Sequence, residues 1–200
     1  MQQAVMACME NGVTIGAHPS YPDVANFGRS SLEISLTDLA KSLQQQIQSL
    51  ADVCDSQGTR LSYIKPHGAL YNDIMMKVDL FDLVVEVVAG HCYDLDLMLG
   101  AVLSVEWANN SKQSGVHIIR EAFADRQYLN NGQLAPRDQK GAVFTQEEQI
   151  YFQAKDLSSG IVKDELGNSI SLQAESICIH GDNPASVESV QTISQMLDKS

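Results

Sequence analysis

Three of the five histidines, His18, His67 and His180, each follow a short apolar run and sit among polar neighbours. His18 lies in G-A-H-P-S, His67 in K-P-H-G two residues after Lys65, and His180 in H-G-D two residues before Asp182. A fourth segment, E-A-F-A-D-R at 121–126, adds Glu121, Asp125 and Arg126. Imidazoles and carboxylates can move protons or ligate a divalent metal, whereas Lys and Arg match a carboxylate or phosphate on a ligand. Zincin, P-loop, dinucleotide and nucleophile-elbow motifs are absent, which leaves chemistry by protonation and polarisation. Gly68 and Gly181, directly after two of these histidines, read equally as points of close ligand approach or as tight-turn glycines. His91, at a helix end, and His117, inside a strand, read as structural.

These residues need elements that present them together. Five apolar runs rich in Val and Ile are expected to be strands: Val13–Ala17, Leu61–Lys65, Leu95–Gly100, Val116–Glu121 and Ser176–His180. The clearest helix carries Leu36, Leu39, Ala40, Leu43, Ile47, Leu50, Ala51 and Cys54 at helical spacing, with Ser35 and Asp38 as a capping pair. A second is expected after Asp79 as N-cap, with Leu80, Leu83, Val84, Val87 and Val88 inward. A third runs from Thr145, paired with Glu148, to about Leu157. The last begins at Asn183 with Pro184 in its first turn and turns Val187, Val190 and Leu197 inward. Ala4–Asn11 reads as the tail of a helix stopped by Gly12, and 102–114 as a weaker helix. A surface hairpin is expected over 160–174 around Leu166-Gly167-Asn168. Segments 18–34 and 122–142 are long, rich in Gly, Pro and charge, and expected to be functional loops.

Strands alternating with helices predict a parallel sheet covered by helices, whose carboxyl ends open on one face. His18, His67, His180 and Asp125 are therefore expected to line one cavity. The chain has 200 residues, so one domain over 1–200 is expected. Thirteen Lys and Arg against 25 Asp and Glu give a formal charge of -12, which argues against nucleic acid and anionic membrane as partners. No run has the length or apolarity of a membrane span, and residues 1–12 do not read as a secretion signal. Four scattered cysteines without C-x-x-C spacing suggest reduced, mostly buried thiols in the cytoplasm. Arg29, Lys65, Arg126 and Arg137 fall in the polar loops, so the cavity is expected to bind anions despite the net charge.

Five blocks together resemble one family: G-A-H-P-S-Y-P-D at 16–23 with F-G-R at 27–29, K-P-H-G-A-L-Y-N at 65–72, E-A-F-A-D-R-Q-Y at 121–128, L-A-P-R at 134–137 with G-A at 141–142, and C-I-H-G-D at 178–182. Their order and spacing are similar to the LamB/YcsF family, which supplies one component of the bacterial ATP-dependent 5-oxoprolinase. Gln127 departs from the small residue usual there. The resemblance implies an α/β fold, a distorted TIM-like β/α barrel of the glycoside hydrolase and deacetylase type. It also implies a cytoplasmic hydrolase that opens the lactam of 5-oxo-L-proline to L-glutamate, with ATP and Mg2+ as co-substrate and subunits B and C as partners. Family members carry about 40 further N-terminal residues, or roughly one βα unit and more, so the barrel is expected to be incomplete here at its first strands. Edges left by those strands are expected to face an open groove or to be covered by a second copy of the chain.

On this reading His18, His67, Asp125, His180 and Asp182 are expected to transfer protons. Arg29, Lys65, Arg126 and Arg137 take the substrate carboxylate or a phosphate, and the family motifs add Tyr71, Asn72 and Glu121 to the substrate contacts. A bound divalent metal is left open. Two other readings stay open: a non-catalytic component for substrate binding or assembly, and a metal-dependent deacetylase-like hydrolase, the latter by fold analogy alone.

Overall fold

The computed structural model describes residues 1–198 and is of the α/β class. The chain forms two compact units, one of Met1–Leu99 with Leu103–Ile119, the other of Gly100–Val102 with the chain from Arg120 onward.

In the first unit, helix α1 (Gln2–Glu10) precedes strand β1 (Gly16–Ala17), and α2 (Leu36–Ser56) leads to β2 (Tyr63–Ile64). Two helices follow, α3 (Gly68–Ile74) and α4 (Val78–Ala89), then β3 (Asp96–Gly100) and α5 (Val105–Gln113). β1, β2 and β3 pair in parallel, with Gly16 opposite Tyr63 and Tyr63 opposite Asp96. β1 and β2 are two residues each, yet backbone bonds continue past their ends: Lys65 N–H donates to Ala17 O and His67 N–H to Pro19 O. The chain after each strand thus stays in register, and this sets His18 beside His67.

Helix α2 forms as its sequence predicts. Ser35 Oγ accepts from Asp38 N–H, and Leu39, Leu43, Ile47, Ala51 and Cys54 make one buried stripe. Leu36, expected on that stripe, is 41% exposed because it occupies the first turn, beyond the edge of the core. α4 starts before the expected cap: Lys77 is N-cap and Asp79 lies inside the first turn, where a carboxylate favours the helix dipole. α3 has no counterpart in the sequence expectations. It is seven residues long inside a segment that reads as a loop, and it is held by burial of Ala69, Leu70, Tyr71 and Ile74. α5 starts at a Ser104 cap whose hydroxyl accepts from Trp107 N–H.

In the second unit, β4 (Ile118–Phe123) pairs in parallel with β7 (Ser176–Cys178), Ala122 opposite Ile177. Between them lie α6 (Glu147–Ser158) and the antiparallel hairpin β5 (Ile161–Lys163) and β6 (Ser169–Ser171), and α7 (Pro184–Leu197) follows β7. α6 and α7 pack around Ala124, Ile150, Ala154 and Ile193. α6 begins at Gln146 without a side-chain cap, so the expected Thr145–Glu148 box does not form.

The inward face of α7 differs from expectation. Val187, Val190 and Leu197 are 54%, 49% and 37% exposed, while Ser186, Ser189 and Ile193 are buried. Two hydroxyl bonds account for this rotation: Ser186 Oγ donates to Asp125 Oδ2, and Ser189 Oγ to Ala185 O. The thiols also depart from expectation. All four cysteines are free, but only Cys54 is fully buried and Cys92 is exposed. Among the described residues no helix is long and apolar enough to cross a membrane.

Candidate functional site

The predicted residues assemble into two groups, one in each unit. In the first, His18 Nδ1 donates to Lys65 O at 2.6 Å and His67 Nε2 donates to Phe27 O at 2.9 Å. A carbonyl can only accept, so both of these nitrogens carry hydrogen. The remaining nitrogens, His18 Nε2 and His67 Nδ1, face each other at 3.0 Å. With both outer nitrogens protonated, that contact closes when the pair holds one further proton between the rings. The geometry is that of a proton-sharing imidazole pair, with ring centroids 4.7 Å apart.

Loop 18–34 is clamped around this pair. Gly28 and Gly68 both have positive φ, and Gly28 O accepts from Ala69 N–H at 2.9 Å. A Cβ on Gly68 would overlap that same oxygen, so the close approach requires glycine. The approach brings Phe27 to His67 and sets the Arg29 guanidinium 5.4 Å above the Phe27 ring. Further along the loop, Tyr21 Oη and Ser31 Oγ donate to the two oxygens of Asp73, which also receives Lys77 Nζ. Burial first, then the bond to Asp73, pushes the Tyr21 phenol well above its ordinary range. Tyr71 is buried in α3, and Asn72 is exposed one residue later.

The second group is built on a buried carboxylate. Asp125, fully buried, accepts from His180 N–H at 3.0 Å, from His180 Nδ1 at 2.9 Å and from Ser186 Oγ at 3.0 Å. Burial alone would raise its pKa, but the hydrogen bonds and charge of His180, with the Ser186 hydroxyl, outweigh it and hold the carboxyl below its ordinary value. His180 Nδ1 therefore carries hydrogen. Its Nε2 accepts from Arg137 Nη2 at 2.8 Å and so presents a lone pair.

Arg126, also buried, donates from Nε to Ala142 O and from Nη2 to Ala135 O. Burial and the nearby charge of Arg137 pull its pKa down to about 10. Two guanidiniums that disfavour each other's charge are a fitting seat for an anion. Glu121 is buried on β4, and Asp182 is exposed in the turn after β7.

The residues that sequence reasoning missed act through these groups. Ser186 anchors Asp125, and the only signal was a serine where α7 was expected to be apolar. Gln153 Nε2 donates to the carbonyls of Phe123, Ala124 and Arg126, tying α6 to the loop that carries Asp125. A glutamine in the buried stripe of Ile150, Ala154 and Leu157 was the available sign. Phe27 contributes a carbonyl, which leaves no trace in residue type. For a divalent metal the fit is poor, since no group of three or more His, Cys, Asp or Glu among the described residues is disposed to hold one.

An α/β chain with oriented imidazoles, a buried carboxylate and guanidiniums after parallel strands has the outfit of a protein that handles a small anionic ligand by proton transfer. The chain belongs to the LamB/YcsF family, whose family model matches residues 1–200. It is 39% identical over 201 residues to a Vibrio cholerae protein named as the A subunit of 5-oxoprolinase, covering 100% of this chain and 81% of that one. A Pseudomonas aeruginosa protein, named as the third such 5-oxoprolinase component of that organism, is 40% identical over 205 residues, covering 99% and 80%. Among solved structures, the lactam utilization protein from Thermus thermophilus matches with a TM-score of 0.87 and 28% identity, covering 98% of this chain and 78% of that chain. That likeness is consistent with the TIM-like β/α class expected from the sequence.

Proposed function

We propose that the chain is the A component of an ATP-dependent 5-oxoprolinase, a cytoplasmic hydrolase that acts with subunits B and C to open 5-oxo-L-proline to L-glutamate. The observation that carries this reading is the 39% identity, across the whole of this chain, to a protein named as the A subunit of 5-oxoprolinase. A five-membered lactam resists water because amide resonance must be lost first. ATP, with Mg2+, is the co-substrate and supplies the activation of the lactam oxygen.

The chain's own residues then have three tasks. Arg126 and Arg137 hold the carboxylate or phosphate, with Lys65 and Arg29 serving the first unit in the same way. The lone pair on His180 Nε2, oriented through Nδ1 by Asp125, takes a proton from water once Arg137 turns to an anion. The proton held between His18 and His67 goes to the ring nitrogen as the C–N bond breaks. Tyr71, Asn72, Glu121 and Asp182 line the substrate contacts around these groups.

The test is ATP-dependent glutamate release from 5-oxoproline by the chain combined with the other subunits. H180Q and H67Q should each lower kcat by about 100-fold or more, the usual worth of a positioned acid or base. Full activity of both variants would show that the chain binds or assembles while chemistry happens elsewhere.

A further inference from the structure

Among the described residues, Phe27 is the one non-glycine residue with positive φ, at 54°. An L side chain is strained in this left-handed region, and a glycine would adopt it freely. The usual return for such strain is burial of the ring, and here the ring is 68% exposed. Backbone and side chain are thus both placed unfavourably for stability, which marks a position that serves something else.

The ring's surroundings show what it serves. It meets the edge of His67 at 5.2 Å between centroids with planes 85° apart, and the Arg29 guanidinium lies over it at 5.4 Å. An apolar ring, a cation and a proton-sharing imidazole pair therefore stand side by side on one loop. A five-membered lactam carrying a carboxylate offers the matching parts: ring methylenes, an anion, and an amide that needs a proton.

We propose that Phe27 is a substrate-contacting residue whose ring forms the apolar floor for the methylenes of 5-oxoproline, with Arg29 above it for the carboxylate. The proposal rests on the function argued above. Its strained backbone serves the same end, because the left-handed turn aims Phe27 O at His67 Nε2.

The experiment compares F27G, F27A and F27Y in the chain assembled with the other 5-oxoprolinase subunits, by thermal melts and by KM for 5-oxoproline. F27G and F27A both lose the ring, but only glycine relieves the strain. F27G should melt about 2 to 4 °C above F27A. Both should raise KM by about tenfold, the worth of two methylenes losing their apolar partner, and F27Y should recover most of that loss. If KM follows stability, with F27A worse than F27G, the ring is a structural prop and the proposal is wrong. An unchanged KM in both, alongside loss of turnover in H180Q, overturns the role of Phe27 and leaves the function standing. Absence of ATP-dependent glutamate release by the wild-type protein removes both.

Discussion

The two histidine groups use one residue type at one kind of position, directly after a parallel strand, and arrive at opposite chemistry. His18 and His67 commit their outer hydrogens to the carbonyls of Lys65 and Phe27, which leaves a contact that only a proton closes. His180 commits its hydrogen to a carboxylate and is left with a lone pair under Arg137. A carbonyl partner makes an acid and a carboxylate partner makes a base, so the partner rather than the histidine decides the role. The supports differ in the same sense. Backbone geometry holds the first group, through Gly28 and Gly68, whereas side chains hold the second, through Asp125 and Ser186.

If that contrast is right, the second group should suffer most from loss of its carboxylate. D125N keeps the shape but turns an N–H donor toward His180 Nδ1, and it should cost about 2 to 3 kcal/mol by leaving buried partners unsatisfied. The effect should also depend on pH. Asp125 has a folded pKa held below its ordinary 3.8, so its stabilising contribution is full above that value and disappears as pH falls through the folded value. Urea midpoints of wild type and D125N should therefore be well separated at pH 7 and converge below about pH 3. A gap of equal size at both pH values would mean that ionisation of Asp125 does not support the fold.

The first group should respond instead to a change with no charge in it. G68A drives a Cβ into Gly28 O at a φ of +61°, against backbone that cannot turn aside as a side chain could. A loss of about 2 kcal/mol or more is expected, with loop 18–34 released from α3. H67Q should cost less, about 1 kcal/mol, since His67 is only half-buried and its bonds are partly replaced by water. Thermal melts that rank H67Q below G68A in stability would show that the imidazole pair, not the backbone clamp, carries this region.

Much of this arrangement was legible in the sequence because it rests on periodicity. Leu39, Leu43, Ile47, Ala51 and Cys54 announce α2, and the five apolar runs announce β1, β2, β3, β4 and β7. The strand-end positions of His18, His67, Asp125 and His180 follow from that alternation. What residue type could not show is how each nitrogen is partnered, because Lys65 and Phe27 act through carbonyls that every residue has. α3 is hidden for a related reason: seven residues are too few to establish a helical period against Gly68 and Asn72. The rotation of α7 escapes a reading by apolarity because hydroxyl bonding, not apolar contact, selects its buried face.

That rotation also gives the smallest expected effect and the cleanest separation of polar from apolar support. Ser186 is buried with its hydroxyl on Asp125, while Val187 and Val190 face outward beside it. S186A removes one bond to an ionised acceptor and leaves Asp125 with its His180 contacts, so a loss of about 1 to 2 kcal/mol is expected. V187K and V190K place charges where the side chains already meet water and should change stability by no more than about 0.5 kcal/mol. Helix content and urea midpoints measure both. The reverse ranking, with V187K or V190K costing more than S186A, would mean that the apolar face of α7 is covered in solution. In that case the expectation drawn from its valines would stand, and Ser186 would be incidental to holding Asp125 against His180.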